Sequence, residues 1–147
     1  MTYVLDTSVV IKWFSNLDEG DLEKADWLRE LYLKEKVQFL FPDLLLYELN
    51  NVLRYKPDFD FEKIRKAVAT IELMEIPIQP YQHQIGAEAV ELAVQYDLTV
   101  YDSYFIALAK EEGFKLITAD QKVYKKVSSL PWVVYLEKLE IQENISK

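Results

Sequence analysis

The feature that most constrains this chain is its alternation of short β-rich runs with longer segments of helical periodicity. Five runs read as strands: Tyr3–Leu5, Val37–Phe41, Ile76–Pro80, Lys115–Thr118 and Trp132–Leu136. Ile76–Pro80 is the weakest, because its two prolines confine it to a sheet edge or a strand end. Between the runs, apolar residues recur three and four positions apart, the spacing of one helix face. Leu22, Ala25, Leu28 and Tyr32 form one such face, and Leu44, Leu45, Leu49, Val52 and Leu53 a second. Ile64, Ala67, Ile71 and Met74 form a third, Ile85, Ala89, Leu92 and Tyr96 a fourth, and Phe105, Ile106, Leu108 and Ala109 a fifth. Strands separated by helices imply right-handed crossovers and a parallel sheet covered on both faces. The expected architecture is therefore a three-layer α/β domain. With 147 residues there is chain for one such domain, residues 1–147, and no repeat or linker divides it. Lys56–Asp60 is the clearest break, joining two helices with Asp60 as an N-cap. The polar stretch from Glu137 to Lys147 reads as a tail, either flexible or part of a dimer surface.

Composition removes most catalytic chemistries. The absence of cysteine excludes disulfides, thiolate metal sites and thiol nucleophiles. A single histidine, His83, excludes a histidine-rich metal cage, and it reads as structural, like the three tryptophans. Three glycines, Gly20, Gly86 and Gly113, leave neither a dinucleotide fingerprint nor a P-loop. A formal charge of -8 excludes a globally basic, phosphate-coating surface. The first residues, MTYVLDTSVV, carry no basic leader, and no apolar stretch approaches the roughly 20 residues of a membrane span. The expectation is a cytoplasmic chain with no membrane partner. The acidic stretch from Asp18 to Asp26 reads as a solvated face beside a helix start. What remains for catalysis is mostly carboxylate.

Four carboxylates stand where a core does not want them. Asp6 directly follows the first strand, in LDTS, and Asp120 follows the fourth, in ITAD. Open parallel sheets bind ligands beyond the carboxyl ends of their strands, although either residue would also serve as an N-cap. Glu48 lies within LLLYELNNVL, beside an apolar stripe, where an unpaired ionised carboxylate is costly. Asp102 opens the apolar segment YDSYFIALAKEEG, either as its N-cap or as a further site acid among Tyr101, Tyr104 and Phe105. If the first and fourth strands are neighbours, Asp6 and Asp120 emerge side by side. Gathered carboxylates repel one another, and a divalent cation converts that repulsion into a site. All-oxygen ligands favour Mg²⁺ or Mn²⁺ over zinc. Such ions activate water and brace an in-line phosphoryl displacement, which points to phosphodiester hydrolysis.

Four blocks carry a family resemblance: LDTSVVIKWF (residues 5–14), FPDLLLYELNNVLR (41–54), LTVYDSYFIALAKEEG (98–113) and LITADQKVY (116–124). In this order they resemble the PIN-domain ribonucleases, most closely the VapC-like toxins of toxin–antitoxin pairs. The resemblance implies a five-stranded parallel sheet between helices and Mg²⁺- or Mn²⁺-dependent cleavage of single-stranded RNA. It also implies a homodimer and an antitoxin that occludes the site. The family's acids match Asp6, Glu48, Asp102 and Asp120; its hydroxyl beside the last acid matches Thr118, and its small polar residues after the first match Thr7 and Ser8.

On this reading Asp6, Asp102 and Asp120 are metal ligands, directly or through water, and Glu48 completes the shell or holds the attacking water. Thr118 and Ser8 position water or a phosphate oxygen. Asn51, one turn from Glu48, matches a family asparagine and orients that carboxylate. Lys12 and Arg54 are candidate RNA-backbone contacts, and Tyr101 and Tyr104 either stack bases or pack in the core. Two other classes compete. A phosphoacceptor receiver needs paired acids after its first strand, whereas Asp6 is followed by Thr7 and Glu48 falls in a helical pattern. A catalytically silent binding module would keep the fold without the chemistry.

Overall fold

Val4 and Leu5, on successive sides of the first strand, are both fully buried, which is the signature of a strand covered on both faces. The computed structural model describes residues 1–141. β1 (Thr2–Leu5) leads into a one-turn helix, α1 (Thr7–Val10), and a 3-10 turn, Ile11–Trp13. There follow α2 (Leu22–Leu33), β2 (Gln38–Pro42), α3 (Leu44–Arg54) and α4 (Phe61–Leu73). The second half comprises β3 (Ile78–Gln79), α5 (His83–Tyr96), α6 (Val100–Glu112), β4 (Lys115–Thr118), α7 (Gln121–Val127) and β5 (Val133–Tyr135).

The strands form one parallel sheet in the order β3-β2-β1-β4-β5. Val4 pairs with Leu40 on one side and Leu116 on the other, and Leu5 pairs with Ile117. The chain winds outward from β1 through β2 to β3, then crosses to β4 on the other side of β1. Winding therefore reverses between β1 and β4, and in sheets of this kind the crevice beyond the strand ends at that point receives ligands.

The prolines have the expected effect on β3. Pro77 contributes only its carbonyl, which accepts from Phe41, and the strand shrinks to two residues at the sheet edge. β5 is also shorter than its apolar run, because Leu136 turns into a 3-10 helix. Helix α6 departs from an amphipathic pattern: every side chain from Ser103 to Ala109 is buried. It packs against α5 and the sheet, so it is covered all round. It stops at Gly113, whose φ of 73° suits a residue without a Cβ. Asp60 caps α4 through Lys63 N, at 2.8 Å. Residues 142–147, the greater part of the polar tail, lie outside the described residues. Among the described residues no helix is long and apolar enough to cross a membrane.

Candidate functional site

Asp6 sits at the winding reversal. Its backbone N–H donates to Ile117 O at 2.9 Å, extending the β1–β4 ladder by one step and aiming the side chain beyond the strand ends. Its carboxylate also caps α1: Oδ2 accepts from Ser8 N at 3.4 Å and from Ser8 Oγ at 2.5 Å. Thr118 Oγ1 donates to the same oxygen at 3.3 Å. Capping and a place in the cleft thus coexist in one residue. Ser8 Oγ in turn accepts the N–H of Ala119 at 2.9 Å, and Thr118 Oγ1 accepts the N–H of Asp120 at 3.1 Å. Two hydroxyls therefore stitch the end of β1 to the end of β4. Asp120 Oδ1 caps α7 through Val123 N at 3.1 Å.

The other two acids arrive on helices. Glu48 projects from α3 between the fully buried Leu45 and Leu49 and accepts a 2.8 Å hydrogen bond from Thr7 Oγ1. Asp102 lies in the first turn of α6 and is not its N-cap. That place belongs to Thr99, whose extended backbone starts the helix early and whose Oγ1 accepts from Asp102 N at 3.1 Å. Asp6, Thr7, Ser8, Lys12, Glu48, Asp102 and Asp120 all line one cleft of about 440 Å³.

The acids feel one another. Burial pushes Asp6 up to about 6, against the hydrogen bonds from Ser8 and with the charges of Asp102 and Asp120 adding to the rise. Burial pushes Glu48 up to about 7; Thr7 pulls it back, and Asp6 and Asp102 push it further. Asp102 is raised by burial above all, with Thr99 and Lys126 opposing and Asp120 reinforcing. A positive charge placed among these carboxylates would favour their ionised forms and lower all three. Oxygen-only donors of this kind fit a hard divalent ion. Among the described residues no three acids are drawn tightly enough to enclose one by themselves. Any such ion would share these carboxylates with water and substrate oxygens, as Mg²⁺ commonly does.

The remaining sequence candidates are scattered. Lys12 lines the cleft, but its Nζ donates to Glu19 Oε1 at 3.1 Å and Gly20 O at 2.7 Å, and the side chain is only 8% exposed. Arg54 lies over the ring of Tyr55 and lines a separate groove between α3 and α4. Asn51 is exposed, and the hydroxyl that holds Glu48 is that of Thr7. Tyr104 is buried and accepts from Gln82 N at 2.9 Å, whereas Tyr101 is exposed. His83 is exposed at the start of α5; Trp13 and Trp132 are tied to backbone carbonyls of Ala25 and Ile106.

Sequence reasoning missed the wall of the cleft. Asp18 and Glu19 line it, and Glu19 bridges Lys12 and Lys56, the latter at 3.0 Å. The acidic stretch is therefore not wholly a solvated face. The signal was weak, because Lys56 is distant in sequence and belongs to the break between α3 and α4.

Comparison with known proteins places this geometry in context. No curated protein sequence matches the chain. Solved structures do. A toxin–antitoxin complex from Klebsiella pneumoniae is similar over 95% of this chain and 99% of its own, with 19% identity and a TM-score of 0.67. VapBC2 from Rickettsia felis, bound to a promoter DNA fragment, is similar over 92% and 97%, with 18% identity and a TM-score of 0.64. VapC20 from Mycobacterium tuberculosis, described as a sarcin–ricin loop cleaving toxin, is similar over 87% and 95%, with 13% identity and a TM-score of 0.66. At such identities the likeness is one of fold. The sequence itself matches the PIN domain model over residues 3–129, and the chain belongs to the PIN domain family.

Proposed function

We propose that this PIN domain is an endoribonuclease that hydrolyses RNA phosphodiester bonds with Mg²⁺ or Mn²⁺, and that it is the toxin of a toxin–antitoxin pair. The observation that carries the reading is the meeting of Asp6, Glu48, Asp102 and Asp120, from four separate elements, in one cleft at the winding reversal. A divalent ion held there by Asp6, Asp102 and Asp120 would lower the pKa of water and stabilise charge on the phosphate.

The chain's own residues supply the rest. Ser8 and Thr118 hold Asp6 Oδ2 in one orientation, so the carboxylate need not reorganise when substrate arrives. Glu48, with one oxygen committed to Thr7, is suited to take a proton from an attacking water on its other oxygen, Oε2.

The partners follow from charge and from the neighbours. The Klebsiella protein is described as a toxin–antitoxin complex, and the Mycobacterium protein as a sarcin–ricin loop cleaving toxin. By extension, this chain takes RNA as substrate and a basic segment of an antitoxin as the plug of its acidic cleft, in the cytoplasm and as a homodimer. A catalytically silent module is the competing reading, favoured by the spacing of the acids. Titrating Mn²⁺ while following thermal unfolding and cleavage of a labelled single-stranded RNA in the same samples tests the proposal. A rise in Tm together with Mn²⁺-dependent cleavage is expected, because a ligand that binds only the folded state stabilises it. No shift and no cleavage at millimolar Mn²⁺ would leave only the silent module.

A further inference from the structure

Helix α7 grows directly out of the cleft, since Asp120, one of the four acids, is its N-cap. Lys122, Lys125 and Lys126 stand at i, i+3 and i+4, on one face of that helix. All three are exposed, while Val123 and Val127 face the core. The helix, QKVYKKV, contains no acidic residue, in a chain whose net charge is -8. Nor does it present a large exposed apolar side chain: Tyr124 is stacked on Tyr135. Lys126 hydrogen-bonds Asp97 O at 2.7 Å and lies 3.6 Å from the fully exposed Asp97 carboxylate, a solvent-screened pair unlike the largely buried Lys12–Glu19 one; its charge is also felt at Asp102, where it opposes the effect of burial.

We propose that the Lys122–Lys125–Lys126 face of α7 is the surface that binds the phosphate backbone of single-stranded RNA and leads it into the acidic cleft. The proposal rests on the ribonuclease reading and specifies how an acidic protein holds a polyanion. Lys12 is bound to Glu19, and Arg54 lies on a different groove, so neither of the cations expected from sequence is free to hold the strand at the cleft. Lysine heads on flexible stems act as point charges that follow a backbone without reading bases. A face with charge but no apolar anchor suits a nucleic-acid backbone better than a protein partner, whose binding energy usually centres on buried aromatic or aliphatic residues.

The test compares Asp102→Asn protein, chosen to suppress cleavage, with the same protein carrying Lys122→Gln, Lys125→Gln and Lys126→Gln. Fluorescence anisotropy of a labelled single-stranded RNA is followed over a salt series in Mg²⁺. Each lost phosphate contact reduces the slope of log K against log salt by about 0.7, so a drop of about 2 is expected from three lysines. In the otherwise wild-type enzyme, Lys122→Gln with Lys125→Gln, which leaves in place the Lys126 charge felt at Asp102, is expected to raise KM about fivefold or more, with kcat changed less than about twofold, the signature of lost uniform binding. Lys34→Gln with Lys36→Gln, before the amino end of β2 and so away from the cleft at the carboxyl ends of the strands, should change neither quantity.

An unchanged slope and KM, with wild-type protein binding and cleaving RNA, overturns the lysine face alone. If wild-type protein neither binds nor cleaves RNA, the ribonuclease reading falls and the lysine face with it. Unchanged RNA binding with loss of binding to an oligoglutamate peptide would assign the face to an acidic protein partner and equally overturn the proposal.

Discussion

Thr7 Oγ1 donates a 2.8 Å hydrogen bond to Glu48 Oε1 across 41 residues of sequence, joining the first turn after β1 to the middle of α3. This contact holds one carboxylate oxygen and leaves the other facing the cleft. Thr7→Val keeps the shape and removes the donor. RNA cleavage by this variant should fall by about tenfold or more, the usual scale for losing a residue that orients a ligand. The acidic limb of its pH–rate profile should move upward, because the bond that favours ionised Glu48 is gone. Thr7→Ser should retain the profile. An unshifted limb in Thr7→Val would deny Thr7 this role.

Asp120 has two duties that substitution can separate. Asn caps helices about as well as Asp, whereas Ala costs about 1 kcal/mol. Asp120→Asn should therefore unfold near the wild-type temperature yet lose cleavage, while Asp120→Ala should lose both stability and cleavage. Thermal melts and RNA assays on the pair would show it. Full cleavage by Asp120→Asn would reduce the residue to a cap.

The raised carboxyls make the metal-free protein sensitive to pH in an unusual direction. Asp6 and Glu48 bind protons more tightly folded, near pH 6 and 7, than their ordinary values of 3.8 and 4.5. Between those limits the folded state carries more protons, so these groups stabilise the fold most below about pH 4 and lose that contribution as pH rises through 6 to 7. In EDTA, Tm should fall from pH 5 to pH 7.5, and Asp6→Asn with Glu48→Gln should flatten the decline. Saturating Mg²⁺ or Mn²⁺ should offset it. A Tm that climbs over this interval in EDTA, unaffected by the double substitution, would contradict the assignment.

Glu19 lies between Lys12 and Lys56, with side chains 16%, 8% and 13% exposed. Removing the shared partner of two largely buried cations leaves both uncompensated, a loss of about 3 kcal/mol at the lower end for such pairs. Glu19→Ala should lower stability to urea by roughly that amount, and Lys56→Met should cost less because Glu19 keeps Lys12. Equal, small effects would mean that solvent already compensates the three.

The layered fold was legible because β1, β2 and β4 are apolar runs bounded by Asp6, Pro42 and Ala119–Asp120, with helix-period segments between them, although β2 carries on through Pro42 itself. That four acids would meet in one cleft was legible for a related reason: each interrupts or terminates an apolar pattern, where charge is expensive. What sequence could not supply was rotation and reach. Asp102 could be read as a cap because nothing local distinguishes it from Thr99, three residues earlier, which adopts the extended backbone. Lys12 looked free because Glu19 and Gly20 fold back on it through a loop with Asp18 and Asp21 at φ of 58° and 52°. Arg54 looked close to Glu48 in sequence, yet six positions along a helix is a turn of about 600°, which carries it to a different groove. The lysines of α7 drew no attention in the sequence, because nothing local shows that the helix carrying them starts from an acid of the cleft.

The most direct test of the central claim is cleavage of a labelled single-stranded RNA by wild-type protein and by Asp102→Asn, each with Mn²⁺ and with EDTA. If the four acids form a metal-dependent nuclease centre, wild-type protein with Mn²⁺ cleaves, EDTA abolishes the reaction, and Asp102→Asn with Mn²⁺ is slower by about a hundredfold or more. Cleavage by Asp102→Asn at the wild-type rate, or cleavage that persists in EDTA, would contradict it.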